Sequence, residues 1–230
     1  MKFETPNLPA TFEECDASLL EELTTLSSED DQDVSAKHFR DAVSPSIVGE
    51  GACYRGVIFE GCRLPEAKLS RAEFLDVEFR NCDLSNVDFS DGFFGRCAFI
   101  NCKGIGACFR GAVLRNVAFT DSQFRYAEMN SAKLRQVRVI GTCLQSADLA
   151  QCKLEGLELS NADLTQVNLF KTALSGVDLR QSIIEGAIFS GEELKGAIVT
   201  PYQAVGLAKL LGLIIPQDSS SAGGTEPQWK

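Results

Sequence analysis

Large apolar side chains recur at every fifth residue from Tyr54 to Val199, and the single exception is Gly104. The pattern continues through 30 consecutive units without an insertion or a deletion. A spacing of five matches neither the 3.6-residue period of a helix nor the two-residue period of a plain strand. It therefore predicts a repeat architecture, in which each unit forms one piece of a regular coil.

Each five-residue unit has the same internal arrangement of small, large and polar positions. A small residue stands two positions before the large apolar centre, as in residues 82–86 (CDLSN) and 147–151 (ADLAQ). Two inward residues separated by one outward residue are typical of a strand. The last two positions of a unit are often Gly or Asn, which tolerate the positive φ of a tight turn. Short extended sides joined by corners predict a coil whose turns stack like parallel strands.

The units CDLSN, ADLAQ and ADLTQ resemble the A(D/N)LXX consensus of the pentapeptide repeat family. The resemblance implies an all-β fold, a right-handed parallel β-helix of square cross-section with four units per coil. The 30 units then give about seven to eight coils. The expected domains are an acidic N-terminal segment and cap at 1–51, the β-helix at 52–201, a C-terminal helix cap at 202–215 and a disordered tail at 216–230.

If four units make one coil, residues 20 positions apart stack on one another in the core. Buried side chains of this kind contribute about 1.5–3 kcal/mol each. At Gly104 one layer lacks its side chain, and we expect a local slackening or a water there, with Ile105 leaning in. The predicted structural core includes Phe59, Phe79, Phe99, Phe119, Phe89, Phe109, Leu149 and Leu164.

Composition indicates a soluble globular protein, with 44% apolar and 23% charged residues. The sequence has neither a run of 18 apolar residues nor an apolar leader, so we expect a cytoplasmic protein. The single histidine, His38, lies outside the repeat, and no nucleotide-binding fingerprint occurs. We therefore expect no catalytic residues, no cofactor and no metal, and a protein that is not an enzyme.

Eight of the nine cysteines fall into two groups by their place in the repeat, and Cys15 lies outside it. Five occupy the small inward position and are expected to be buried free thiols. Three occupy outward positions on different sides of the coil and are expected to be the most reactive. The sequence lacks the CxxC spacing of a zinc site. The inward group is Cys62, Cys82, Cys97, Cys102 and Cys152, and the outward group is Cys53, Cys108 and Cys143.

The net charge of −10 lies mostly outside the repeat. Residues 1–51 carry 12 acids and 3 bases, whereas residues 52–201 carry 18 acids and 17 bases. Some pentapeptide repeat proteins resemble duplex DNA and bind type II topoisomerases, which implies DNA gyrase binding with quinolone protection as one hypothesis. DNA presents a charge every ~1.7 Å, and a nearly neutral coil does not offer that.

We therefore rank a rigid rod for protein–protein contact or scaffolding, with an unknown protein partner, ahead of DNA mimicry. One side of the coil is mildly basic, and four of its residues form a candidate partner contact. The alternative for these residues is an ordinary solvated face. They are Arg115, Lys133, Arg135 and Lys153.

The two ends depart from the five-residue pattern. Residues 15–26 predict an amphipathic helix with Asp16 as N-cap, followed by a mobile acidic linker at 27–33. Residues 34–51 are expected to climb into the first coil and cover its open edge. Phe39, Val43 and Ile47 would supply that cover. A partner-binding acidic arm is the alternative interpretation of this region.

At the C-terminal end, Thr200 and Pro201 predict an N-cap and a first helical residue, and Gly212 predicts the stop. The helix has an apolar face formed by Leu207, Leu210 and Leu211. This helix is expected either to plug the last coil alone or also to pair two chains into a homodimer.

Overall fold

The computed structural model describes residues 2–30, 32–210 and 212–215, without the side chains of residues 30 and 210. The chain begins with a short strand and a helix, and it continues into a series of strands of regular length. In chain order the elements are β1 (Glu13–Cys15), α1 (Ala17–Asp30), β2 (Val34–Ser35), β3 (Lys37–Arg40), β4 (Cys53–Glu60), β5 (Glu73–Arg80), β6 (Phe93–Ile100), β7 (Val113–Thr120), β8 (Lys133–Ile140), β9 (Lys153–Ser160), a 3₁₀ helix (Glu192–Leu194) and α2 (Pro201–Leu210).

The strands stack as a right-handed parallel β-solenoid of about seven turns, as the family resemblance implies. Each strand from β4 to β9 covers two sides of a coil, and each strand from β4 to β8 pairs in parallel with the strand 20 residues later, as at Tyr54↔Phe74. The other two sides pair through single bridges such as Arg63↔Asp83 and Lys68↔Asp88. Residues 20 positions apart are therefore neighbours on all four sides.

The corners explain why Gly and Asn recur at the end of a unit. Gly61, Asn81, Asn101 and Gly141 occupy one column of corners, and their φ angles are 65°, 55°, 50° and 57°. This left-handed region of backbone space suits Gly, which has no Cβ, and Asn, whose short side chain tolerates it. The repeat thus specifies the turn at each corner as well as the side between corners.

The core is built from columns of identical or similar side chains. Rings of Phe59, Phe79, Phe99 and Phe119 stack with centroids 4.9 Å apart and planes within 5° of parallel. This separation matches the strand spacing, because the backbone ladder sets the distance between side chains. Each of the eight core residues expected from the sequence has a relative exposure of 4% or less.

The layer at Gly104 is filled rather than slack. The ring of Phe124 lies over Gly104, so that a Cβ at this position would stand 2.9 Å from Cζ of the ring and closer to two other ring atoms. Phe124 itself is fully buried. Ile105 remains half-exposed at its corner and does not lean in. The expected slackening is thus wrong, since an aromatic ring from the next coil takes the space.

The inward thiols bond to the backbone of the coil before them. The Sγ atoms of Cys62, Cys82 and Cys102 each donate to a carbonyl oxygen at 3.3 Å, on Phe39, Phe59 and Phe79 respectively. All nine cysteines are free thiols.

One expectation about the outward cysteines is wrong. Cys143 is buried with 7% exposure, and its Sγ lies 3.7 Å from a carboxylate oxygen of Asp163. Cys53 and Cys108 are half-buried. An outward position in the repeat therefore does not guarantee access to solvent, because the side chain 20 residues later lies over it.

The solenoid begins before the first regular unit. β3 pairs with β4 in the same 20-residue register, through His38↔Ile58 and Phe39↔Phe59. Phe39 and Ile47 enter the core, whereas Val43 is 49% exposed and covers nothing. Residues 34–51 thus form a first coil. Ser44 and Gly49 occupy positions that hold large apolar residues in the later coils, so the five-residue pattern is not visible here.

Helix α1 closes the N-terminal end of this first coil. It runs to Asp30, so Ser27 and its neighbours are helical and not the start of a mobile linker. Thr24 is fully buried and its hydroxyl hydrogen-bonds the Tyr54 hydroxyl at 2.8 Å. Burial raises the pKa of Tyr54. The Ser27 hydroxyl accepts a 2.8 Å hydrogen bond from the amide of Cys53, which satisfies a donor at the start of β4.

A seam opens in the wall after β9. Between the coils of β8 and β9, Lys153 N donates to Ala132 O at 3.0 Å and Gly141 N donates to Ser160 O at 2.9 Å. One coil later in the described chain, the equivalent backbone bonds from Ala173 N and Asn161 N are absent. β9 is accordingly the last strand of the sheet. Its inward residues Leu154, Leu157 and Leu159 are only partly buried. The other two sides stay paired, through Asp163↔Ile183 and Asn168↔Ile188, so the opening is confined to one half of the perimeter.

Beyond the seam, the buried carboxylate of Glu193 ties the last coils together. It accepts hydrogen bonds from Lys171 N at 2.6 Å, Ser190 N at 2.9 Å and the Ser190 hydroxyl at 2.7 Å. Burial alone would raise the pKa of this carboxyl, but the hydrogen bonds from Ser190 and Lys171 outweigh burial and lower the pKa to about 2. Glu193 therefore stabilises the chain turn as a buried anion.

We predict that Gly104→Ala destabilises the protein, because its Cβ would overlap the Phe124 ring. Overpacking of this kind typically costs about 1–3 kcal/mol. The urea midpoint measures the loss. Gly206→Ala, in open space on α2, is the matched control and is expected to be neutral or stabilising. Adding Phe124→Leu to Gly104→Ala should recover part of the loss, and strictly additive losses would contradict the contact.

We predict that Glu193→Gln lowers the melting temperature at pH 7, where the carboxylate is ionised in both the folded and the unfolded chain. Its folded pKa lies below the ordinary 4.5, so its stabilisation is complete above pH 4.5 and is lost as the pH falls towards 2. At pH 7, the unfolding free energy of Glu193→Gln should be lower than that of the wild type by at most about 3 kcal/mol. Glu192→Gln, at an exposed position, is the control. If the stability difference between the wild type and Glu193→Gln did not change with pH, it would contradict a buried, ionised carboxylate at Glu193.

Candidate functional interface

The described residues hold no cluster of His, Cys, Asp or Glu arranged to bind a metal ion. None of the described helices is long and apolar enough to span a bilayer. The interior has a cavity of about 20 Å³ that is lined only by apolar side chains such as Met129, Leu144 and Leu164. These observations direct attention to the outer surface of the rod.

One side of the rod carries a basic face, defined here as Arg115, Lys133, Arg135 and Lys153. The ladder sets Lys133 directly beside Lys153, and Arg115 directly beside Arg135. Neighbouring strands are about 4.8 Å apart, and like charges placed side by side in a sheet destabilise it. The sequence predicted this group, and the structure brings its members together.

Across the rest of the rod, charges of opposite sign tend to pair from one coil to the next. Arg96 binds both carboxylate oxygens of Asp76 at 2.6–2.7 Å, and Lys103 pairs with Asp83 at 3.0 Å. Within the basic face, only Arg135 has an acidic partner, Glu155 at 2.6 Å. No described carboxylate lies within ion-pair distance of Arg115, Lys133 or Lys153. Arg115 and the directly neighbouring pair of Lys133 and Lys153 therefore remain available to an anionic partner.

The basic face borders a shallow groove of about 310 Å³ that also contains the half-buried side chains of Phe93 and Val113. Beside it, Gly95 leaves a gap that the side chains of Leu75 and Phe93 cover. The result is an apolar strip next to three unpaired cations. Such a surface can bury apolar side chains of a partner while its carboxylates meet the cations.

An N-terminal strap, defined as residues 2–12, runs along one corner of the rod. Its backbone is held by side chains: Asn7 N donates to Asp76 Oδ1 at 2.8 Å, and Glu4 N donates to Asn116 Oδ1 at 3.3 Å. Pro9 packs against Gly56, where a Cβ would meet the proline ring at 2.9 Å. The five-residue pattern gives no indication of this segment, because an extended strap has no periodic signal of its own.

His38 lies inside the N-terminal end and not in a catalytic arrangement. Its Nδ1 is 3.0 Å from a Glu14 oxygen and its Nε2 is 2.9 Å from a Glu60 oxygen. Glu14, His38 and Glu60 belong to β1, β3 and β4 respectively, which pair side by side. The imidazole thus links three consecutive strands, and this is a structural role that the sequence did not indicate.

The C-terminal end exposes a second apolar surface. Helix α2 is capped as predicted, because Gln203 N donates to Thr200 Oγ1 at 3.1 Å. Leu207 is 9% exposed and packs on the rod, which fits a helix that plugs the last coil, and its part in a dimer contact stays a prediction. The side chain of Leu210 and all of Leu211 lie outside the described residues. The exposed apolar residues at this end are Tyr202, Val205, Leu213, Ile214 and Ile215.

Comparison with known proteins gives matches to repeat proteins. Residues 92–169 match a family model described as a pentapeptide repeat region, and residues 55–91 match one described as pentapeptide repeats. A search of curated proteins returned no match.

Three solved structures are among those that match this chain. A trypsin-treated variant of QnrB1, a plasmid-mediated fluoroquinolone resistance protein, is 24% identical with a TM-score of 0.41, over 79% of this chain and 90% of that one. HetL from the cyanobacterium Nostoc, involved in heterocyst differentiation regulation, is 17% identical with a TM-score of 0.31, over 72% and 88%. A thylakoid lumen pentapeptide repeat protein from Arabidopsis thaliana is 23% identical with a TM-score of 0.30, over 55% and 74%.

Proposed function

Because the chain belongs to the pentapeptide repeat family, we propose that it acts as a rigid rod that binds a partner protein through its basic face. The supporting observation is the set of three unpaired cations, Arg115, Lys133 and Lys153, beside an apolar groove. The direct pairing of Lys133 with Lys153 opposes folding, whereas the carboxylates of an acidic partner would be attracted to the same two side chains. The proposed role is binding and scaffolding, without catalysis.

The proposed partner presents carboxylates next to one or two apolar side chains. Phe93 and Val113 would contact the apolar side chains, and Lys133 and Lys153 the carboxylates. Charge complementarity of this kind raises association rates and makes binding sensitive to salt.

DNA mimicry with gyrase binding is the alternative that the sequence raised, and the surface gives it less support. A DNA mimic needs unpaired acids along the rod. Several of the rod's carboxylates instead pair with bases, including Asp76 with Arg96, Asp83 with Lys103 and Glu158 with Arg138. We therefore expect the purified protein to leave gyrase supercoiling unchanged, with and without a fluoroquinolone.

We predict that Lys133→Glu/Lys153→Glu abolishes retention of the partner on the immobilised protein. The charge reversal removes the cations without disturbing the core, since both side chains are exposed. Quantitative mass spectrometry of proteins captured from the source cells measures the effect. Capture by the wild type should weaken when the salt concentration is raised from 0.05 to about 0.5 M.

Arg63→Glu/Lys68→Glu provides the matched control, because it makes the same change in charge at exposed positions on the other two sides. This control should retain the same proteins as the wild type. Equal capture by both double variants, or inhibition of gyrase by the wild type, would contradict binding through the basic face.

For the C-terminal end, we propose that two chains pair through the apolar surface that contains Tyr202 and Ile214. These side chains are 82% and 94% exposed, and several large apolar side chains exposed at one end of a fold are typical of a contact surface. Such pairing would leave the basic face of each rod accessible.

We predict that the wild type sediments as a dimer at micromolar concentration and that Ile214→Glu sediments as a monomer, because a buried unpaired carboxylate is costly. Val48→Glu, at an exposed apolar position of the first coil, is the control and should remain dimeric. A monomeric wild type at 100 μM would contradict the pairing.

A further inference from the structure

The N-terminal strap lies on the rod as an extended peptide lies on a receptor. Residues 2–12 form neither helix nor strand. Their backbone is recognised by Asp76 and Asn116, two polar side chains that are only 9% and 4% exposed and that present Oδ1 atoms to strap amides. A pair of buried acceptors directed at backbone N–H groups is a means of binding an extended chain whatever its side chains.

Two arginines add preference for particular side chains. The guanidinium of Arg138 lies over the Phe3 ring at 4.2 Å, in a cation–π arrangement. Arg96 lies 4.0 Å from the Glu4 carboxylate. The corner thus recognises an aromatic residue followed directly by an acidic one.

The strap is seated loosely on this corner. A shallow depression of about 690 Å³, open to solvent, is lined by strap residues such as Lys2, Thr5 and Pro6 and by the two arginines, Arg96 and Arg138. The Glu4 side chain is 61% exposed, and its ion pair with Arg96 is at the limit of contact. Exposed ion pairs of this kind hold a segment weakly, so another segment of the same chemistry can replace the strap.

We propose that this corner of the rod, formed by Asp76, Arg96, Asn116 and Arg138, is a peptide-binding site that the N-terminal strap occupies in cis. Its ligand is an extended segment of a partner protein in which an aromatic residue precedes a carboxylate. The site stands on different residues from the basic face, so it does not depend on that proposal. The tethered strap acts as a competitor at high local concentration and weakens binding of the ligand.

The test uses a fluorescein-labelled peptide of residues 2–9 (KFETPNLP) and fluorescence anisotropy with full-length proteins. The wild type should bind the peptide weakly. Phe3→Ala/Glu4→Lys, which removes both side-chain contacts of the strap, should bind it at least tenfold more tightly. Equal affinity of the two proteins would overturn the proposal.

Further variants in the same background identify the site. Adding Arg138→Ala should reduce peptide affinity at least tenfold, whereas adding Arg63→Ala, on another side of the rod, should leave it unchanged. A peptide in which Phe3 and Glu4 are replaced by alanine should bind at least tenfold more weakly. Binding that ignores Arg138 or the peptide sequence would also overturn the assignment.

A measurement on the unmodified chain covers the case in which the strap variant fails to fold. Hydrogen exchange of residues 2–9 in the wild type should increase when the unlabelled peptide is added in excess, because the peptide displaces the strap. Exchange that stays constant up to millimolar peptide would mean that the strap is a fixed part of the structure, and it would overturn the proposal.

Discussion

Stacking of each residue on the residue 20 positions later is the constraint on which the rest of this structure depends. The parallel ladder sets a fixed spacing between coils, and the side chains inherit it. The rings of Phe59 and Phe79 are 4.9 Å apart and nearly coplanar for this reason. Columns of like residues satisfy the constraint with least adjustment, which explains the phenylalanine and cysteine columns of the core.

The same constraint acts on the outer surface, where its consequence is functional. A side chain in an outward column meets the side chain one coil away, so opposite charges in a column form ion pairs. The pairs of Arg138 with Glu158 and of Arg135 with Glu155 arise in this way. Where like charges follow one another, as at Lys133 and Lys153, the ladder holds them together without a partner. The rigid backbone ladder thus keeps like charges side by side, whereas on a flexible surface the side chains would move apart.

The sequence predicted the repeating coils of the structure but not the places where the structure departs from the repeat. The five-residue spacing predicted the coil and its core phenylalanines, and the family resemblance supplied the four units per coil that set the register. The filling of the gap at Gly104 depends on the rotamer of Phe124, which no spacing records. The first coil was hidden because Ser44 and Gly49 stand where large residues belong. The burial of Glu193 was also missed, because Glu73, Lys133 and Lys153 in the same outward column are exposed in the regular coil.

The candidate sites divide in the same way. The basic face follows directly from the register, so its four residues were identified before the structure. The strap was not, because its contacts join Glu4 to Asn116 and Asn7 to Asp76 across long stretches of sequence. The seam after β9 likewise leaves the five-residue pattern unbroken, and only the missing backbone bonds reveal it.

The most direct test of this account is amide hydrogen exchange along the whole rod, read by mass spectrometry. A strand that is hydrogen-bonded to a neighbour on each side opens only together with those neighbours. The amides of residues 133–140 should therefore exchange at least tenfold more slowly than those of residues 173–181, which lie across the seam. Protection should be high and uniform from β4 to β8. Uniform protection through residues 173–181, or fast exchange within β5 to β7, would contradict a 20-residue ladder that is continuous up to β9 and interrupted after it.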